Sequence, residues 1–142
     1  MASKLGNIVF DCENPTELSH FWSDVFGYPY AELPAEMKQQ LLDSGMTEAD
    51  IELKGVAQDP TGEGPRLFFQ KVPEPKVVKN RVHIDIASTP GRFPSAEELE
   101  AEKDRIVALG ATVIRHHVGT WGPFPEVHYV LADPEGNEFC VQ

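Results

Sequence analysis

Ile8, Phe10 and Cys12 fall on one side of an alternating run, with Asn7, Val9 and Asp11 on the other, which predicts a strand with one buried face. A change of period follows. Leu18, Phe21, Trp22, Val25 and Phe26 recur at helical spacing, so the next element is an amphipathic helix. Asn14 suits its N-cap, Pro15 its first turn, Glu17 the reciprocal capping position three residues on, and Gly27 the left-handed residue past its end. The second half of the chain reads the same way. Val82, Ile84 and Ile86 alternate with Arg81, His83, Asp85 and Ala87, predicting a strand. Ser95, with Glu98 three residues later, then opens a helix whose buried side carries Leu99, Ile106 and Leu109 before Gly110.

The repetition extends to the turns. Asp59-Pro60-Thr61-Gly62 precedes the run Arg66 to Val72, and Asp133-Pro134-Glu135-Gly136 precedes Asn137 to Val141. Each half is therefore a strand-helix-strands unit, one over residues 5 to 72 and the other over 80 to 142, and Pro73-Glu74-Pro75-Lys76 between them is too short for a flexible two-domain linker. One domain over residues 1 to 142 is expected, of α+β class. Residues 34 to 43 read as a short helix ended by Ser44-Gly45, with no counterpart in the second half. It is either a lid over a site or surface decoration.

Composition narrows the functional classes. Twelve Lys and Arg against 23 Asp and Glu give a net charge of -11, which repels phosphate backbones and anionic lipid, so neither nucleic acid nor membrane is an expected partner. The first six residues have no long apolar run, as a signal peptide would require. The two cysteines, Cys12 and Cys140, fall on opposite alternations of their strands and are expected to stay reduced, which fits a cytoplasmic protein. The nucleophile-elbow, phosphate-loop and dinucleotide fingerprints are all missing.

Duplicated strand-helix-strands units, a DPxG turn before each last strand and Asn14-Pro15 opening the first helix resemble the vicinal oxygen chelate superfamily, the group of glyoxalase I, bleomycin-resistance proteins and extradiol dioxygenases. The residues carrying the resemblance are 8 to 15, Phe21-Trp22 to Phe26-Gly27, 81 to 86, Leu109-Gly110-Ala111 and 133 to 139. The nearest likeness is to a glyoxalase-like branch. This resemblance implies two βαβββ modules whose sheets curve around a cleft, with helices on the outer faces. It also implies, in metal-using members, an ion held at four strand positions. Those positions here are Asn7, Gln70, His83 and Cys140. Only His83 is a usual ligand; neutral amides bind divalent ions weakly, and a lone imidazole and thiol do not complete a stable set. No metal and no other cofactor are expected, with a divalent ion serving a metal-dependent glyoxalase or dioxygenase as the less favoured alternative. Of the adjacent pair His116-His117, which point to opposite faces of a strand, one at most could join His83.

The expected ligand is a small apolar or aromatic molecule bound among Asn7, Val9, Phe68, Gln70, His83, Asp85, Trp121, His128 and Cys140, with antibiotic sequestration as one use. The alternative is a metal-independent isomerase or lyase in which His83 is the general base, assisted by Asp85 or Gln70. His83 and Asp85 two apart on one strand equally suit a polar pair that satisfies itself. Trp121, in the Gly/Pro-rich stretch Gly119 to Phe124, is a candidate pocket wall or interface anchor, Trp22 belongs to the core, and His20 lies off the helix's apolar stripe toward solvent. A homodimer is the expected assembly.

Overall fold

A computed structural model describes all 142 residues. The chain divides into two compact units, Met1–Pro75 and Lys76–Gln142, and the division falls in the Pro-rich bridge. The class is α+β, with one small mixed sheet in each unit and neither closed into a barrel.

In the first unit, β1 (Asn7–Cys12) lies parallel to β3 (Arg66–Lys71), which pairs antiparallel with β2 (Lys54–Ala57). Helix α1 (Pro15–Phe26) covers one face of this sheet. Its stripe behaves as the spacing predicts: Leu18, Phe21, Trp22 and Val25 are buried, and Trp22 is 0% exposed with its ring 5.6 Å from that of Phe10. Phe26, at the end of the stripe, is partly exposed and stacks on Tyr28. Asn14 caps the helix by accepting from the Glu17 amide, and Gly27 closes it at φ +70°. His20 is only half in solvent, because its ring stacks on Tyr30 with centroids 3.9 Å apart.

Helix α2 (Ala35–Asp43) forms where the insertion was expected and buries none of its residues; a second short helix, α3 (Glu48–Ile51), follows with a complete capping box from Thr47 and Asp50. These helices occupy the span between α1 and β2, so the first unit forms three strands and not four. The segment 28 to 34 makes no ladder, and Pro29 and Pro34 lack the N–H that a ladder needs.

The second unit keeps the full pattern: β4 (Asp85–Ile86), α4 (Ala96–Ala108), β5 (Thr112–Trp121), β6 (Phe124–Ala132) and β7 (Glu138–Val141), in the sheet order β4-β7-β6-β5. The strand expected over residues 81 to 86 is regular only at its end. Val82, assigned to the apolar face by alternation, is 78% exposed. The register with the parallel partner would set Val82 opposite Asn137, and β7 begins only at Glu138, so the ladder stops short of Val82. Helix α4 starts with the capping box that Ser95 and Glu98 imply, and Leu99 and Ile106 are buried.

The two DPxG turns match atom by atom. In each, the glycine N–H reaches the aspartate carbonyl at 2.9 Å, the third residue's N–H bonds the aspartate carboxylate, and the glycine sits at positive φ. In the second unit Asp133 also takes bonds from the Asn137 amide and side chain, and both residues are buried, which ties β6 to β7.

Candidate functional site

Each sheet has one face under its helix and one face turned away from it. On the first unit's uncovered face stand Asn7, Val9 and Asp11 of β1, Arg66, Phe68 and Gln70 of β3, and Lys54 and Val56 of β2, since the register places them on one side. Two cross-strand pairs span β1 and β3. Arg66 Nε donates to Asn7 Oδ1 at 3.0 Å, and Gln70 Nε2 donates to Asp11 Oδ1 at 2.7 Å. Phe68, half-buried between them, has the Lys54 ammonium and the Arg66 guanidinium each 5.9 Å from its ring centre. Asn7, Val9, Phe68 and Gln70 are thus brought together as expected. Arg66 and Lys54 were missed. An isolated cation on a strand reads as solvated, and only the register shows that both flank one aromatic ring.

On the second unit's uncovered face, Asp85 pairs in register with Cys140, and Cys140 with Val130 of β6. The Cys140 amide also bonds the Ile84 carbonyl at 3.0 Å, which fixes β7 against the residues just before β4. His83 Nε2 lies 3.4 Å from Asp85 Oδ1, and one ligand atom from each of His83, Asp85 and Cys140 falls within 4.8 Å of the others. His83 and Asp85 are exposed while Cys140 is 7% exposed. Burial pushes the Cys140 thiol up, and the adjacent Asp85 carboxylate, which accepts its hydrogen bond, adds to that shift. The neutral thiol is therefore the resting form. Neither Cys12 nor Cys140 forms a disulfide.

His128, two residues along β6 from Val130, shares this face, and its ring stacks on His117 of β5 at 4.7 Å. Desolvation lowers its pKa, and the neighbouring imidazole of His117 lowers it further, so His128 is held neutral to lower pH than a free imidazole. His117 also approaches Glu126 at 3.6 Å. Of the adjacent pair, His117 is the one on the His83 side; His116 stacks on Tyr129 on the opposite face. Trp121 ends β5 at the hairpin tip, 71% exposed and stacked on Phe124. Phe124 lies four residues from His128 on β6, roughly 13 Å along the strand. The structure therefore does not bring Trp121 to the His83 group.

The four positions assigned to a family ion can now be tested as donors. Asn7 Oδ1, the oxygen that would face a cation, is already occupied by the Arg66 guanidinium, whose positive charge opposes a metal there. Gln70 is a neutral amide engaged with Asp11. The first unit therefore supplies no anionic or imidazole ligand at these positions, and the four-position set does not fit a Lewis-acidic or oxygen-activating ion.

No protein of curated function matches the sequence. Among solved structures the chain is similar to a glyoxalase/bleomycin resistance protein/dioxygenase family enzyme from Burkholderia phytofirmans PsJN, with 17% identity, 98% of this chain and 97% of that one covered, and a TM-score of 0.62. It is also similar to a mutant of the fosfomycin resistance protein FosX from Listeria monocytogenes, complexed with Mn(II) and 1S,2S-dihydroxypropylphosphonic acid, at 13% identity, 100% and 90% coverage and a TM-score of 0.64. A third is a possible glyoxalase from Bacillus cereus, at 14% identity, 99% coverage of both chains and a TM-score of 0.60. At such identities the likeness carries the fold alone. The sequence itself matches the model of the glyoxalase-like domain over residues 7–142, nearly its whole length, and the chain belongs to that family.

Proposed function

We propose that this chain binds a small apolar or aromatic molecule on the uncovered face of the first unit's sheet, and that binding requires no metal. The observation that carries this reading is the pairing of Arg66 with Asn7 and of Gln70 with Asp11, which converts two family ligand positions into a polar frame around Phe68. An aromatic ring with flanking amides and cations can orient a ligand, yet it cannot polarise one as a metal would. Sequestration of an antibiotic is the use that resemblance to resistance proteins suggests. A cytoplasmic setting is supported by the two cysteines outside any disulfide. The helices add no membrane span, none being long and apolar enough to cross one.

The test is thermal unfolding of chelator-treated protein with bleomycin, fosfomycin and a panel of neutral aromatic compounds. A ligand at one hundred times its Kd stabilises by about 2.7 kcal/mol, a shift easily read. Binding that appears only when metal is restored would refute metal independence.

A second reading rests on the 3.4 Å approach of His83 Nε2 to Asp85: an isomerase or lyase with His83 as general base. His83→Ala distinguishes the two, since turnover lost with ligand binding kept favours catalysis. Self-association as a homodimer is supported by the tip of the β5–β6 hairpin, where Trp121 and Phe124 stack and are exposed together. Light scattering of the wild type and of Trp121→Glu reads it directly.

A further inference from the structure

One end of the first unit's uncovered face carries a positive charge that no carboxylate of the chain answers. In register, Val9, Phe68 and Val56 form an apolar row across β1, β3 and β2, about 10 Å across at the usual strand spacing. Arg66 and Asn7 stand two residues to one side of that row, and Asp11, Gln70 and Lys54 two residues to the other. Lys38, Lys76, Arg92, Lys103 and Arg105 each form an ion pair with a carboxylate, whereas Arg66 and Lys54 form none. Their 5.9 Å separation from the Phe68 ring centre is at the outer limit of a cation–π contact, about 6 Å, so the ring alone does not satisfy them. We infer that the molecule bound over Phe68 is an aromatic acid, with its ring on the Val9–Phe68–Val56 row and its anionic group on Arg66. This rests on the binding reading proposed above for the same face and adds the chemical class of the ligand.

The two cations are not equivalent. Arg66 uses Nε on Asn7 Oδ1, and its two terminal nitrogens donate to no group of the protein. Such a pair grips a carboxylate through two parallel N–H···O bonds, and the Asn7 bond already holds the guanidinium in place, so less side-chain freedom is lost when an acid arrives. Lys54 shares its row with Asp11, whose carboxylate accepts from Gln70 and offsets the ammonium charge at that end. Asp11 is four residues along β1 from Asn7, roughly 13 Å, which exceeds the screening length of about 8 Å at physiological salt. The Arg66 end therefore keeps its positive potential. The same screening removes most of the influence of the chain's net charge of -11 at contact distance. Val9 is 50% exposed and Phe68 half-buried, so the row is open to a flat ring laid on it.

The test titrates chelator-treated protein by calorimetry with 2-naphthoate and 2-naphthamide, a pair matched in ring and shape that differs in charge at neutral pH. Naphthoate should bind about tenfold more tightly, the lower end of what a hydrogen bond to a charged group contributes. Added salt should narrow that margin and leave naphthamide unchanged. In Arg66→Gln the two probes should bind alike, and in Lys54→Gln most of the margin should remain. Both positions are exposed, so both variants should fold, which circular dichroism checks. Equal affinity of the wild type for the two probes, or a margin that survives in folded Arg66→Gln, would overturn the acid on Arg66 while leaving the binding of neutral aromatics intact. If neither probe binds, the binding reading falls and the acid with it.

Discussion

Gly55→Ala probes how the first unit holds its uncovered face in place. Gly55 lies in β2 under the first turn of α1, and a Cβ built there falls 2.5 Å from the Pro15 carbonyl oxygen and 3.0 Å from both the Pro15 carbonyl carbon and Ser19 Oγ. Ordinary contact begins near 3.4 Å, so the helix must retreat by about 0.9 Å (3.4 − 2.5). Two of the three clashing atoms are backbone, which leaves no side-chain rotation as relief. Retreat would loosen the buried row of Leu18, Trp22 and Val25 against the sheet. Overpacking of this kind costs about 1–3 kcal/mol. Loss of the glycine's unfolded-state freedom returns about 0.4–1 kcal/mol, with no left-handed φ at Gly55 to add strain. The expected net is a destabilisation of about 1–2 kcal/mol. Urea unfolding followed by tryptophan fluorescence reads it, because Trp22 is fully buried while Trp121 is already exposed, so the signal reports the first unit. The midpoint should fall with the slope unchanged. Gly6→Ala, with nothing within 4 Å, should stay within about 0.5 kcal/mol. A Gly55→Ala protein as stable as the wild type would refute the argument that α1 is pinned on β2 by this contact.

Ser23→Ala should stabilise the protein by about 0.5–1 kcal/mol in the same assay, because Ser23 Oγ is buried without a hydrogen-bond partner and alanine favours the helix; a loss of stability would show a missed partner. Ser95→Ala removes the side-chain acceptor for the Glu98 amide and should cost about 1 kcal/mol. Hydrogen bonds from Arg92 and from the Ser95 amide hold the Glu98 carboxyl down at about 2. Its contribution is therefore complete above pH 4.5 and lost as pH falls through 2, an acid-limb slope that Glu98→Gln should flatten. His128 has the opposite chemistry and the same sign: its folded pKa lies below 6.5, so the unfolded chain binds the extra proton and stability falls as pH drops below 6.5. NMR titration of His128 in wild type and His117→Ala should show its pKa rising when the neighbouring imidazole is removed.

The repeat itself was legible because it is written in local chemistry. A capping serine with its glutamate, a Pro-Gly turn and a stripe at helical spacing each act within a few residues, so α1, α4 and both DPxG turns stand where the sequence puts them. Alternation also placed Asn7, Val9, Phe68 and Gln70 on one face and His83, Asp85, His128 and Cys140 on another, since side-chain direction in a strand follows from parity. It failed at Val82, where parity held no information about whether a partner strand extends that far. It could not show that Arg66 occupies the Asn7 side-chain oxygen, or that Cys140 lies against the same Asp85 as His83.

Those facts depend on register between strands dozens of residues apart. The sequence by itself determined which residues face which way and that two similar units would form. Only the tertiary structure decided which of them touch. Strand pairing is set by the summed burial of whole faces and not by any one residue, so the contacts that choose between metal ligand, general base and hydrogen-bond partner appear only once the sheets are assembled.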